Sequence, residues 1–211
     1  MFKKQLSTNS KIAIAVIALL SLFGLMNIGY LWVNLKYIFI YPDTKVQSQS
    51  FKQNNNIEPE QNNFQVKSQA NFFQIKSLGI KAPIIYPVEA SETVYQEALK
   101  NGVAHFPGTA QPGELGNCYI FGHSSDYLLS KGKYKNIFAL LPKIKIGEEI
   151  IISDSEREKH IYIVLASRKI SHDDVSVLDQ QNYKKKLLTL QTSYPLGTAL
   201  ARWVAIAEKK D

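Results

Sequence analysis

The 211-residue chain contains one cysteine, two methionines, and no acidic residue among its first 40 positions. A lone cysteine, Cys118, excludes an intramolecular disulfide and makes a cysteine-based metal centre untenable. It lies in the apolar run 117–121, where a free cysteine acts as a small hydrophobe. The sequence also lacks an arginine-rich run and any basic motif interleaved with aromatics, which argues against a nucleic-acid partner. No internal repeat is visible. His105, His160 and His172 fall on separate segments with no ligand spacing, so neither a metal nor a cofactor is expected.

The absence of early acidic residues gives the charge of +7 its meaning. Lys3, Lys4 and Lys11 precede an uncharged stretch of 24 residues from Ile12 to Leu35, and the rest of the chain carries 22 basic against 18 acidic residues, or +4. A membrane-spanning helix needs about 20 apolar residues, and this stretch is too long for the apolar core of a cleaved signal and lacks its small-residue cleavage site. Tyr30, Trp32, Tyr37, Phe39 and Tyr41 collect at its far end as an interfacial belt would. The short lysine-bearing tail favours an N-terminus inside and a single pass, with the bulk of the chain outside the cytoplasm. Residues 1–11 therefore read as a cytoplasmic tail and 12–41 as the anchor with its belt. Residues 42–70, with six Gln and five Asn between Asp43 and Ala70, read as a tether too polar to offset its ordering entropy. A flexible coil of that length reaches on the order of 30 Å. Residues 71–211 form the folded domain.

From Asn71 onward, short apolar runs alternate with turn signals, the pattern of a barrel or sandwich. Strands are expected over 72–75, 82–88, 103–106, 117–121, 149–153, 161–170, 187–192 and 199–207. Ser91 is placed to cap a helix through Lys100 that Asn101-Gly102 ends. Pro83 and Pro87 suggest that the second strand is an edge or irregular strand. Residues 137–141 suggest one or two helical turns stopped by Pro142, and 171–181 remain ambiguous.

Three polar residues stand at strand ends. Leu187-Leu188-Thr189-Leu190-Gln191-Thr192 alternates apolar and polar residues and presents Ser193 before the turn Pro195-Leu196-Gly197. Gly122 breaks the 117–121 run and is followed by His123, and Arg202 lies among apolar neighbours nine residues past Ser193. Together these residues resemble the sortases, membrane-anchored cysteine transpeptidases of bacterial surfaces. Their fingerprint is a Thr-Leu-x-Thr-Cys strand, an earlier Gly-His and a following Arg. The resemblance covers about residues 72–208 and departs in one place, where Ser193 stands at the position of the family's cysteine.

The resemblance implies an all-β fold, an eight-stranded barrel with short helices behind one transmembrane helix. It implies His123, Ser193 and Arg202 as catalytic residues. The activity implied is cleavage of a Thr-Gly-type bond in C-terminal sorting signals of surface proteins, with the acyl group passed to an amine or to water. Three readings of Ser193 stay open: an active serine enzyme, an inactive module that binds sorting signals, and a deliberate cysteine-to-serine exchange. Cysteine's free pKa of about 8.5 lets a nearby cation hold a thiolate, whereas a serine hydroxyl must lose its proton in concert to a base. His123 would then act as a neutral base, best oriented by a carboxylate, for which Asp126, Asp173 and Asp174 are candidates by sequence. Cys118 cannot substitute for the nucleophile, since five strand residues place it about 16 Å from His123.

Overall fold

The computed structural model describes residues 7–26, 35, 70–125, 132–180 and 184–210. Helix α1 (Thr8–Met26) is apolar on every side from Ile12 onward, after a polar first turn that ends in Lys11, and its Thr8–Leu25 portion is not covered by the rest of the protein. At 1.5 Å per residue its 19 residues extend about 28 Å, close to the ~30 Å hydrocarbon layer of a bilayer. It is a candidate membrane span. The expected aromatic belt and most of the expected tether lie outside the described residues.

Eight strands form a closed barrel in the order β1-β2-β3-β4-β7-β8-β6-β5, as the fold expectation required. They are β1 (Phe72–Ile75), β2 (Ile80–Ile85), β3 (Val103–His105), β4 (Gly116–Phe121), β5 (Glu149–Ser153), β6 (Lys159–Ser171), β7 (Lys186–Tyr194) and β8 (Ala201–Lys209). Closure removes the exposed edges that invite aggregation. Two joins are parallel, β2 with β3 across helix α2 (Glu92–Asn101), and β4 with β7. The interior is filled by side chains such as Phe73, Ile120, Phe138, Ile152, Tyr162 and Leu190, all fully buried. A second, smaller cluster lies on the outer face, where Tyr119, Ile170, Val177 and Val204 pack with Phe106, Phe121 and Leu178.

Several boundaries differ from the sequence reading for identifiable reasons. The apolar run 82–88 stops acting as a strand at Ile85, because β3 offers only Val103 and Ala104 as ladder partners, and Val88 is left 94% exposed. Pro83 is no edge residue, since the barrel is closed. It pairs with Phe72 on one side, just before the short β3 ladder begins on the other. Pro142 sits inside a 3-10 turn (Leu141–Lys143), where the first positions need no N–H donor. The ambiguous stretch 171–181 contains a single 3-10 turn (Ser176–Leu178). Ser91 precedes α2 as expected, but its hydroxyl donates to Glu89 and does not cap the helix.

His105 ends β3 inside the protein, with Nε2 2.9 Å from the Ala110 carbonyl and 3.2 Å from the Thr109 hydroxyl, and its ring against Tyr86. Burial holds its pKa below 6.5, against the upward pull of that carbonyl and of Glu114. The unfolded chain therefore takes this proton first. Stability should be unaffected by His105 above the ordinary histidine range and should fall as pH drops from 6.5 towards the folded-state value. We expect the pH dependence of unfolding free energy between about pH 7 and 5 to be shallower in His105→Gln, by at most about 1.4 kcal/mol per pH unit. Parallel denaturation curves for the two proteins would exclude this contribution.

Candidate active site

The β7 motif is built by alternation. Leu188 and Leu190 point into the core, while Thr189, Gln191 and Ser193 share the outer face with Tyr119 and Phe121, their neighbours on β4. The two threonines of the motif are anchors. Thr189 Oγ1 donates to Asn117 Oδ1 (2.9 Å), and Asn117 Nδ2 donates to the Val177 carbonyl (2.7 Å). Thr192 Oγ1 donates to the Gly122 carbonyl (2.8 Å), while the Gly122 N–H donates to the Gln191 carbonyl (3.1 Å). Two bonds thus clamp the end of β4 to the end of β7, both at Gly122, one residue before His123, and reaching Gln191 and Thr192 on the other strand.

The last pair of the β4–β7 ladder is Phe121 with Gln191, and the same register carried two residues further would bring His123 level with Ser193. On the opposite side Ser193 pairs directly with Arg202. Ser193 and Arg202 are thus direct cross-strand neighbours on the outer face of the barrel, and the extended register adds His123 to them as a row of three strand-end residues. Each is partly exposed. Arg202 Nη1 donates to the carbonyls of Ala199 (3.1 Å) and Ala201 (3.2 Å), which holds the guanidinium over its own strand start. Burial pushes the Tyr119 hydroxyl pKa well up, and the positive charge of Arg202 pulls it the other way. Tyr119 donates its hydroxyl hydrogen to Gln191 Oε1 directly below the row.

The glycine before His123 is required by packing. A Cβ at Gly122 would lie 2.8 Å from Phe138 Cδ2 and 3.1 Å from Ile137 Cγ2, and Phe138 is fully buried. Phe138 also donates its N–H to the His123 carbonyl (2.9 Å), fixing the backbone on the other side of the same residue. The sequence showed the Gly-His pair but not this partner, which is 16 residues away.

The other candidates separate clearly. Cys118 is 1% exposed, pairs with Leu188 in the interior, and burial drives its thiol pKa up, so it faces away from the row. Asp174 Oδ1 accepts from the Ser176 N–H (3.0 Å) and hydroxyl (2.5 Å), which commits that oxygen to starting the 3-10 turn. Hydrogen bonding from Ser176 lowers its pKa, and hydrogen bonding from Ser171 does the same for the exposed Asp173. Asp126 lies outside the described residues. The β6–β7 loop is strapped to the outer face by a group that the sequence reading did not single out, Gln180. Its Oε1 accepts from the N–H of Asn117 (3.0 Å) and of Ala110 (3.3 Å), and its Nε2 donates to the Asn117 carbonyl (3.0 Å).

Gly122→Ala should destabilise the domain by about 1–3 kcal/mol, the usual cost of overpacking. Gly108→Ala, with nothing within 4 Å of its would-be Cβ, controls for the exchange itself, with only the strain of its positive φ to bear. If thermal unfolding finds Gly122→Ala as stable as the parent, Phe138 is not what demands the glycine.

The chain matches the sortase domain model over residues 73–210. No curated protein matches it. Among solved structures it is similar to sortase C from Clostridium perfringens, with 25% identity, a TM-score of 0.53, and coverage of 66% of this chain and 68% of that one. A sortase D transpeptidase of Clostridium perfringens is 26% identical, with a TM-score of 0.54 over 66% of this chain and 78% of that one. A lid mutant of sortase A from Corynebacterium diphtheriae is 24% identical, with a TM-score of 0.55 over 66% and 69%. With this barrel, and with the family's domain model matched from β1 to the end of β8, the chain belongs to the sortase family.

Proposed function

We propose that the chain is a single-pass, membrane-anchored protein whose outer-facing domain receives C-terminal sorting signals of surface proteins at the His123–Ser193–Arg202 row and transfers their acyl group. The observation that carries this reading is the register pairing of Ser193 with Arg202, beside a β4 end clamped by Thr192 and Gly122. In this mechanism Ser193 Oγ attacks the carbonyl carbon of a Thr-Gly-type bond while its proton passes to the His123 imidazole. The carbonyl oxygen becomes an oxyanion, and Arg202, always charged, donates to it. Collapse breaks the C–N bond, His123 returns the proton to the departing amine, and an ester on Ser193 remains. An acceptor amine or water then attacks the ester, His123 takes the acceptor's proton, and Ser193 leaves with it.

A second reading has its own support. The family's cysteine reaches its anionic form easily, and with water's ~15.7 as a proxy for serine the gap is roughly 7 pKa units, or about 10 kcal/mol for a free anion. A row that keeps Arg202 and the outer face but holds serine is also the design of a peptide-binding module without turnover. Ser193→Cys separates the two. The side chain changes by one atom, so the site should survive, and thiolate chemistry should raise cleavage of a sorting-signal peptide by on the order of 10²-fold or more. The measurement is the pH profile of peptide cleavage for both forms, with His123→Ala and Arg202→Ala as controls. A cysteine variant that binds a sorting signal yet never cleaves it would sink the transfer reading and leave the binding module.

The expected division of the chain is tested separately. Removal of the first 70 residues should release a soluble domain, because β1 begins at Phe72 and the apolar helix lies wholly upstream. An insoluble truncation beside a detergent-stable full chain would show that the boundary is misplaced.

A further inference from the structure

The end of the barrel away from the His123–Ser193–Arg202 row carries a second cluster of chemistry-bearing side chains. There β5 turns into β6 through residues 154–158, and the start of β6 pairs with the end of β8, whereas Arg202 stands near the start of β8. Asp154 organises this hairpin. Its Oδ1 accepts from the N–H groups of Glu156 and Glu158, each at 2.9 Å, and its Oδ2 lies 2.8 Å from His160 Nε2. A carboxylate can only accept, so the ring hydrogen belongs on Nε2, and the neutral imidazole is left with a lone pair on Nδ1.

That lone pair is out of place for a buried group. His160 is 5% exposed, and among the described residues its Nδ1 has no hydrogen-bond partner. Buried polar atoms of this kind are few in native proteins and call for an explanation. Nδ1 faces Glu158, whose Oε1 is 3.9 Å away, too far for a hydrogen bond. Beside the ring stands Gly113. A Cβ at that position would lie 2.5 Å from Cε1, 2.7 Å from Nδ1 and 3.2 Å from Nε2, so the missing side chain is what lets this backbone pack against the face of the ring.

An imidazole held by a carboxylate through one nitrogen, with its other nitrogen bare and aimed at a second carboxylate, has the donor arrangement of a metal ligand and its orienting partner. Asp154, Glu158 and His160 bring one ligand atom each within 4.8 Å of one another. Metal–nitrogen and metal–oxygen bonds of about 2.0–2.2 Å span roughly 4.2 Å end to end. The 3.9 Å gap between Nδ1 and Oε1 therefore accepts one ion at an obtuse angle. Glu158 is 70% exposed and can swing to adjust the angle, and water can complete the shell. Imidazole with carboxylate favours zinc-like divalent transition ions over calcium or magnesium, which take all-oxygen sites. We propose that His160 Nδ1 and the Glu158 carboxylate bind a zinc-class divalent ion, with Asp154 holding the ring in the ligating tautomer. The site is independent of the peptide chemistry proposed above. It ties together the hairpin, Gly113 of the β3–β4 loop, and the point where the chain enters the barrel, since the Asn71 N–H donates to the Asp154 carbonyl (2.9 Å).

The test uses the untagged full chain in detergent, stripped with a chelator and titrated with zinc chloride, calcium chloride or magnesium chloride. Isothermal titration should give one zinc per chain, and saturating zinc should raise the midpoint of thermal unfolding by several degrees. Calcium and magnesium should do neither. Glu158→Gln removes an exposed ligand with no packing role, so it should leave the metal-free midpoint unchanged and weaken zinc binding at least tenfold. His160→Gln should abolish binding. No saturable zinc binding, zinc binding that survives Glu158→Gln at full strength, or an equal response to calcium would each overturn the assignment.

Discussion

The parallel pairing of β4 with β7 is the constraint on which the rest of the site depends. These strands lie about 70 residues apart in the chain, and nothing local brings them together. Once paired, they are fastened at their open ends by Thr192 on Gly122 and by Gly122 on Gln191, so the backbones that present His123 and Ser193 cannot slide past one another. A slip of one residue would send Ser193 into the barrel and Thr192 outward, because side chains alternate faces with a period of two. The antiparallel β7–β8 ladder then places Arg202 opposite Ser193 with no further requirement.

The barrel divides its two faces by chemistry. Inside, Cys118, Ile120, Leu188 and Leu190 pack with Phe138 and the residues of β1 and β5, and the one thiol in the chain is sealed there. Outside, Tyr119, Phe121 and Val204 form an apolar floor below the row, partly roofed by the loop that carries Val177 and Leu178. Gln180 and Asn117 fasten that loop through their amides, which donate and accept at once and so satisfy backbone groups that would otherwise be buried unpaired. The row is therefore held by a rigid scaffold on both sides of the sheet.

The opposite end of the molecule is organised by a single carboxylate. Partial burial pushes the Asp154 pKa up, yet hydrogen bonds from His160, Glu158 and Glu156 outweigh that and hold it below the ordinary carboxylate range. An anionic Asp154 fixes the turn, the His160 ring and, through its carbonyl, the first residue of the domain. The chain's entry into the barrel and the candidate ion site thus share one anchor.

The sequence by itself determined the strands, their faces and the identity of the strand-end residues. Alternation at 187–192 required one buried face, the apolar run at 12–35 required a segment unlike the rest, and Gly122-His123, Ser193 and Arg202 stood out because polar residues interrupt apolar runs there. These features are local, set by side-chain periodicity and turn chemistry within about ten residues. Only the tertiary structure decided which strands pair, that β2 ends at Ile85 for want of a partner, and that Phe138 is the reason for Gly122. It alone decided that Asp174 serves a turn, that Gln180 straps a loop, and that Asp154 and Glu158 face His160. Each of these is a contact or pairing set by the folded backbone, and single-sequence periodicity carries no record of which surfaces meet.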